Sequence, residues 1–138
     1  MIHLAITGLV GLLLQATPAA KPVDALVKQE AQRITDSATK WRFTLPYYDR
    51  KKQSFVCRTV DSSGDKQADR VFCKAMASCS NLHKDEESRL MNMKGDGAAI
   101  DAAARAYYRK RNLCFRTEAA PLIDQLAAAR VSKVARKR

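Results

Sequence analysis

Histidine is nearly missing from this sequence. Two occur in 138 residues, and one of them, His3, lies in a leading segment with no Lys, Arg, Asp or Glu. No two of the four cysteines stand in a Cys-x-x-Cys spacing. These shortages count against a zinc site, which draws on clustered Cys and His, and against a thioredoxin-like redox centre, which needs a closely spaced dithiol. No nucleophile-elbow sequence is present, and Gly95-Asp96-Gly97 lacks the preceding strand and the Lys-Ser/Thr of a phosphate loop. His83 has no activated Ser, Thr or Cys marked out beside it. Asp85, Glu86 and Glu87 are neighbours on one helix and point around it rather than converge, so they read as a solvated acidic face. The sequence predicts no catalytic residue, no cofactor and no metal site. Internal repeats, long linkers and low-complexity blocks are also lacking.

The uncharged opening segment has its own signature. Leu4 to Leu14 is an apolar run of signal-peptide length, shorter than a comfortable bilayer span. Thr17 and Ala19 supply the small residues of a cleavage site. No Cys follows the run, so a lipoprotein anchor is not indicated. The expectation is a signal peptide over 1–20 and one small disulfide-stabilised domain over 21–138, placed in the periplasm or secreted, with the basic end 130–138 frayed.

What is present centres on Cys57 to Cys79, CRTVDSSGDKQADRVFCKAMASC. Phe55 to Val60 is rich in β-branched and aromatic residues, with Phe55, Cys57 and Thr59 on one face if extended. Asp61-Ser62-Ser63-Gly64-Asp65 breaks the strand and offers caps for a helix. From Lys66 the period changes: Ala68, Val71, Phe72, Ala75, Met76 and Cys79 form one helical stripe. Four cysteines allow three pairings. Cys73 and Cys79 are about 120° apart on an intact helix and too far apart in rise to bond. Cys57 can fold back onto Cys73, which leaves Cys79 for Cys114. Cys57–Cys73 and Cys79–Cys114 are therefore the preferred pairs.

Cys57, Ser62-Ser63-Gly64, Asp69 and Cys73 together resemble the strand–turn–helix of the TonB C-terminal domain in its cysteine-bearing variants. The resemblance covers Cys57 to about Cys73, and the rest of the chain departs from it. It implies a structural role for this stretch. It also implies an alternative function, a TonB-like periplasmic protein-interaction module that uses strand 54–60 as an edge for strand addition.

Elsewhere helical periods dominate. Val23, Leu26 or Val27, Ala31, Ile34, Ala38 and Trp41 predict a helix over 23–40. A second runs over 83–94, with its Met residues filling core gaps. A third, over 98–113, is followed by a connection at Phe115-Arg116-Thr117 and a last helix over 119–134, with Pro121 in its first turn. The fold class is mainly α with a small β element (α+β): four to five helices, plus a short strand or hairpin near 42–60, stapled by two disulfides.

The formal net charge is +11. It gathers around Lys40 to Arg58, at Arg105, Arg109, Lys110 and Arg111, and at the C-terminal end with Arg130 and Lys133. In an envelope compartment such charge suits anionic lipid, lipopolysaccharide, an acidic glycan or an acidic envelope protein. Arg105, Arg109, Lys110 and Arg111 are the expected contact face, supported by Arg130 and Lys133. Nucleic acid is the alternative partner if the chain is not exported. Trp41, Arg42, Tyr47 and Tyr48 form an aromatic–basic cluster suited to stacking on sugars or bases. The favoured expectation is that Trp41 and Phe43 cover the strand at 54–60, with the tyrosines at the rim.

Overall fold

In the computed structural model, which describes residues 21–44 and 46–137, Pro22 opens the first helix, α1 (Val23–Ser37). Its carbonyl accepts from the amides of Ala25 and Leu26, and Asp24 sits in the first turn, where a negative charge suits the helix dipole. The expected signal segment, 1–20, lies outside the described residues. Between the two candidates for the apolar stripe, Val27 packs against the core and Leu26 is exposed. A 3-10 turn, Ala38–Lys40, tightens the helix end and delivers Trp41 in extended conformation.

A hairpin follows in two sections. Strands β1 (Arg42–Phe43) and β4 (Thr59–Asp61) pair antiparallel, as do β2 (Tyr47–Asp49) and β3 (Ser54–Val56). The inner section matches Tyr47 to Val56, Tyr48 to Phe55 and Asp49 to Ser54. The outer section matches Arg42 to Asp61, then shifts by one residue to match Phe43 to Thr59. Between them the Thr44 amide donates to the Arg58 carbonyl at 2.8 Å, so the irregularity joins the two ladders. The expected strand at 54–60 is thus two short strands interrupted at Cys57-Arg58. The Asn81 side chain takes the outer side of β3: it accepts from the Phe55 amide at 2.8 Å and donates to the Phe55 carbonyl at 3.2 Å. A residue of the next helix does there what a third strand would do.

Helix α2 (Lys66–Leu82) starts where the expected turn ends. Gly64 takes φ +91°, a conformation that L side chains rarely adopt. Asp65 caps the helix by accepting from the amides of Gln67 and Ala68. Ala68, Phe72, Ala75, Met76 and Cys79 are buried along the predicted stripe. The short helix α3 (Lys84–Met91) stops before the expected limit, and Met91 and Met93 are exposed rather than core-filling.

The last two expected helices are one. Helix α4 runs unbroken from Gly97 to Ala135, 39 residues, or about 58 Å. No connection forms at 115–117 because tertiary contacts hold that turn helical. Cys114 is bonded to Cys79, and Phe115 stacks on Trp41 at 6.2 Å between centroids. Pro121 lies inside the helix, where its ring supplies no N–H to the Thr117 carbonyl. The helix includes most of the basic C-terminal end, through Ala135. Among the described residues the architecture is four α-helices and two two-stranded antiparallel sheets, stapled by Cys57–Cys73 and Cys79–Cys114. This is the mainly α fold, and these are the two pairings, that the sequence predicts.

The core joins all three longer helices. Ile34 of α1, Phe72 and Met76 of α2, and Ala119, Ile123 and Ala127 of α4 close around Trp41. Trp41 stacks on Phe43 at 4.5 Å and meets Phe72 at 5.4 Å, and its indole N–H donates to Thr59 Oγ1 at 3.0 Å. The polar end of the ring is therefore satisfied inside the protein.

Candidate anion-binding surface

The turn before α2 borders a concavity lined by three basic side chains. Asp69, one turn into the helix, is buried and holds that turn from beneath. It accepts from the Ser62 hydroxyl at 2.5 Å, the Ser63 hydroxyl at 2.6 Å and the Ser63 amide at 3.0 Å. Burial pushes this carboxyl upwards, but the serine hydrogen bonds outweigh it and keep the group below the ordinary aspartate range. The resemblance-bearing residues Ser62, Ser63 and Asp69 thus form one structural unit beside the Cys57–Cys73 bond.

Folding the hairpin onto α2 leaves a shallow cleft of about 580 Å³ over that bond. Its lining includes Cys57, Cys73, Arg58, Lys66, Arg70 and Asp69. Lys66, Arg70 and Cys73 follow one another at i, i+4 and i+7, so they share one stripe of the helix. Arg58 comes from the hairpin. Among the described residues none of the three cations forms an ion pair. The one acid in the cleft, Asp69, has both oxygens occupied by Ser62 and Ser63. The α2 amides at Gln67 and Ala68 already serve Asp65, so the positive character of the cleft rests on the three side chains.

The contact face expected on α4 is divided by the fold. Arg105 and Arg109 are exposed, and neither forms an ion pair among the described residues. Lys110 is paired with Glu86 at 2.6 Å, and its hydrogen bond holds the Glu86 carboxyl below its ordinary value. Arg111 is buried. Its guanidinium lies 5.7 Å from the Tyr107 ring centre and 4.8 Å from that of Tyr108. Of the C-terminal pair, Lys133 is exposed, whereas Arg130 binds Asp65, Glu30 and Gln67. Arg105, Arg109 and Lys133 therefore remain as outward charge, while Lys110, Arg111 and Arg130 serve the fold.

The aromatic–basic cluster also separates. Trp41 is core, Arg42 pairs with Asp61 across the hairpin, and Tyr47 and Tyr48 are exposed at the rim. The acidic face at 85–87 needs correction. Glu87 is buried and accepts from the Tyr107 hydroxyl. Burial first, and this bond second, push the Tyr107 phenol well above its usual range. A second concavity, about 1010 Å³, lies between α1 and α4 over Val27, Ala31, Phe115, Ala119 and Ile123. Its rim carries Asp24 and Asp124 as well as Lys28 and Arg116, so it offers no charge preference.

Sequence reasoning did not single out Lys66 and Arg70, because no run of basic residues marks them. The available signal was their helical spacing from Cys73. Among the described residues no group of three or more His, Cys, Asp or Glu is placed to hold a metal ion, and no helix is long and apolar enough to cross a membrane. No family model, curated protein or solved structure matches the chain.

Proposed function

We propose that this is a small exported, non-catalytic protein that binds an anionic envelope component through basic surfaces of its helices. The observation that carries the proposal is the convergence of Arg58, Lys66 and Arg70 on one cleft, three cations against the single carboxylate of Asp69, which is turned to Ser62 and Ser63. Unpaired cations around a concavity raise the local concentration of anions and speed their arrival. Arg105, Arg109 and Lys133 add exposed positive charge elsewhere, on α4. Two disulfides suit an oxidising compartment. All four cysteines are bonded, so none is a free nucleophile.

The test is co-sedimentation with vesicles of zwitterionic lipid, with and without anionic lipid, at low and high salt. The expected result is retention on anionic vesicles at low salt only, because exposed charges are screened as salt rises. Joint replacement of Arg58, Lys66 and Arg70 by Gln removes most of the retention, and Arg105→Gln with Arg109→Gln removes a smaller part. Retention unchanged in both variants would sink the proposal.

A further inference from the structure

The two disulfides differ in what surrounds them. Cys79 is wholly buried, whereas Cys57 and Cys73 are both partly exposed and line the cationic cleft. We propose that Cys57–Cys73 is a thiol–disulfide exchange site selective for anionic small thiols, with Arg58, Lys66 and Arg70 as the selecting groups. This goes beyond the binding proposal and does not depend on which envelope component the protein binds.

The chemistry is balanced within the exchange. An incoming thiol loses its proton to solvent and attacks one sulfur of the pair as thiolate. A new S–S bond forms to that cysteine as the Cys57–Cys73 bond breaks. The electron pair of the broken bond leaves on the other cysteine as a thiolate. The three cations act twice: they concentrate a thiol bearing a carboxylate or sulfonate, and they stabilise the departing thiolate. Attack at Cys114 would instead expel the Cys79 thiolate into a fully buried position, where loss of solvent disfavours the charge. Cys57–Cys73 is therefore the bond that opens first.

The experiment treats the folded, oxidised protein with 2-mercaptoethanesulfonate, 2-mercaptoethanol or cysteamine at low salt. Freed cysteines are alkylated and located by peptide mass mapping, and rates are expressed per thiolate. The expected result is opening of Cys57–Cys73 before Cys79–Cys114, with the anionic thiol fastest and the cationic one slowest, about tenfold apart. High salt, or joint replacement of Arg58, Lys66 and Arg70 by Gln, collapses that order. Equal rates for the three thiols would overturn the proposal. So would earlier opening of Cys79–Cys114, or a charge order that persists in the triple variant. Vesicle retention is read separately, so loss of either property leaves the other measurable.

Discussion

Arg130 grips Asp65 with both ends of its guanidinium: Nη1 donates to Oδ2 at 2.6 Å and Nη2 to Oδ1 at 2.7 Å. The same Arg130 reaches Glu30 at 3.0 Å and Gln67 at 2.9 Å. Since Asp65 is also the α2 cap, one side chain near the end of α4 ties together α1, the start of α2 and the turn between hairpin and helix. The Arg130 hydrogen bonds, assisted by the backbone amides, pull the Asp65 carboxyl from 3.8 down to about 2. A carboxyl lowered in the folded state favours folding above its unfolded pKa, and that contribution is lost as pH falls through the folded value. Arg130→Gln should therefore cost about 1–2 kcal/mol at neutral pH, allowing for the partial solvent exposure of the pair. In urea unfolding, the gap between wild type and variant should narrow as the pH falls towards 2. A gap that stays constant with pH would mean that the Asp65 charge is not what Arg130 stabilises.

Asp69 should matter through geometry more than through charge. Replacement by Asn keeps one acceptor oxygen and leaves fewer partners for the Ser62 and Ser63 hydroxyls. A loss of about 1–3 kcal/mol follows, the usual range for leaving buried polar groups unmet. Ser62→Ala should cost less, because Ser63 keeps its two bonds to the carboxylate. Denaturant midpoints for the two variants check the order. The reverse order would assign the turn's stability to Ser62 itself.

The buried pair of Tyr107 and Glu87 makes an optical prediction. Tyr107→Phe removes the donor from a buried acid and should destabilise by about 1–3 kcal/mol. Burial and the Glu87 bond both disfavour the phenolate. The alkaline absorbance curves of wild type and Tyr107→Phe should therefore coincide through the ordinary tyrosine range and separate only above it. Separation within that range would show that Tyr107 ionises like an exposed phenol.

Pro121 is expected to weaken α4. Pro121→Ala restores the missing N–H to the Thr117 carbonyl, and the residue is exposed, so no packing is lost. A Pro-to-Ala change inside a helix is worth up to about 3 kcal/mol. The melting temperature should rise. A fall would mean that the proline ring supports the packing of α4.

Local chemistry was legible in particular residues. The stripe Ala68, Phe72, Ala75, Met76 and Cys79 is buried as its spacing requires. Helix geometry excludes a Cys73–Cys79 bond, and the fold-back of Cys57 onto Cys73 across the turn, expected from the strand–turn–helix pattern, is the pairing that forms, with Cys79 bonded to Cys114. The connection expected at Phe115-Arg116-Thr117 does not form, for a physical reason. Pro121 argues for the first turn of a new helix, but Cys114 and Phe115 are anchored by Cys79 and Trp41, far away in the chain.

The charged residues mark the limit most sharply. By itself the sequence determined how much positive charge there is, where α2 begins, which face of α2 is apolar and that Cys73 does not bond to Cys79. These depend on composition, spacing and caps within a few residues. Tertiary structure alone decided which charges face outward. Arg111 is buried beside Tyr107 and Tyr108, Glu87 meets Tyr107 across 20 residues, and Arg130 meets Asp65 across 65. It also brought Arg58 of the hairpin beside Lys66 and Arg70 of α2. A lone arginine reads the same in sequence whether it meets water or a carboxylate, because its partner is chosen by how the helices cross.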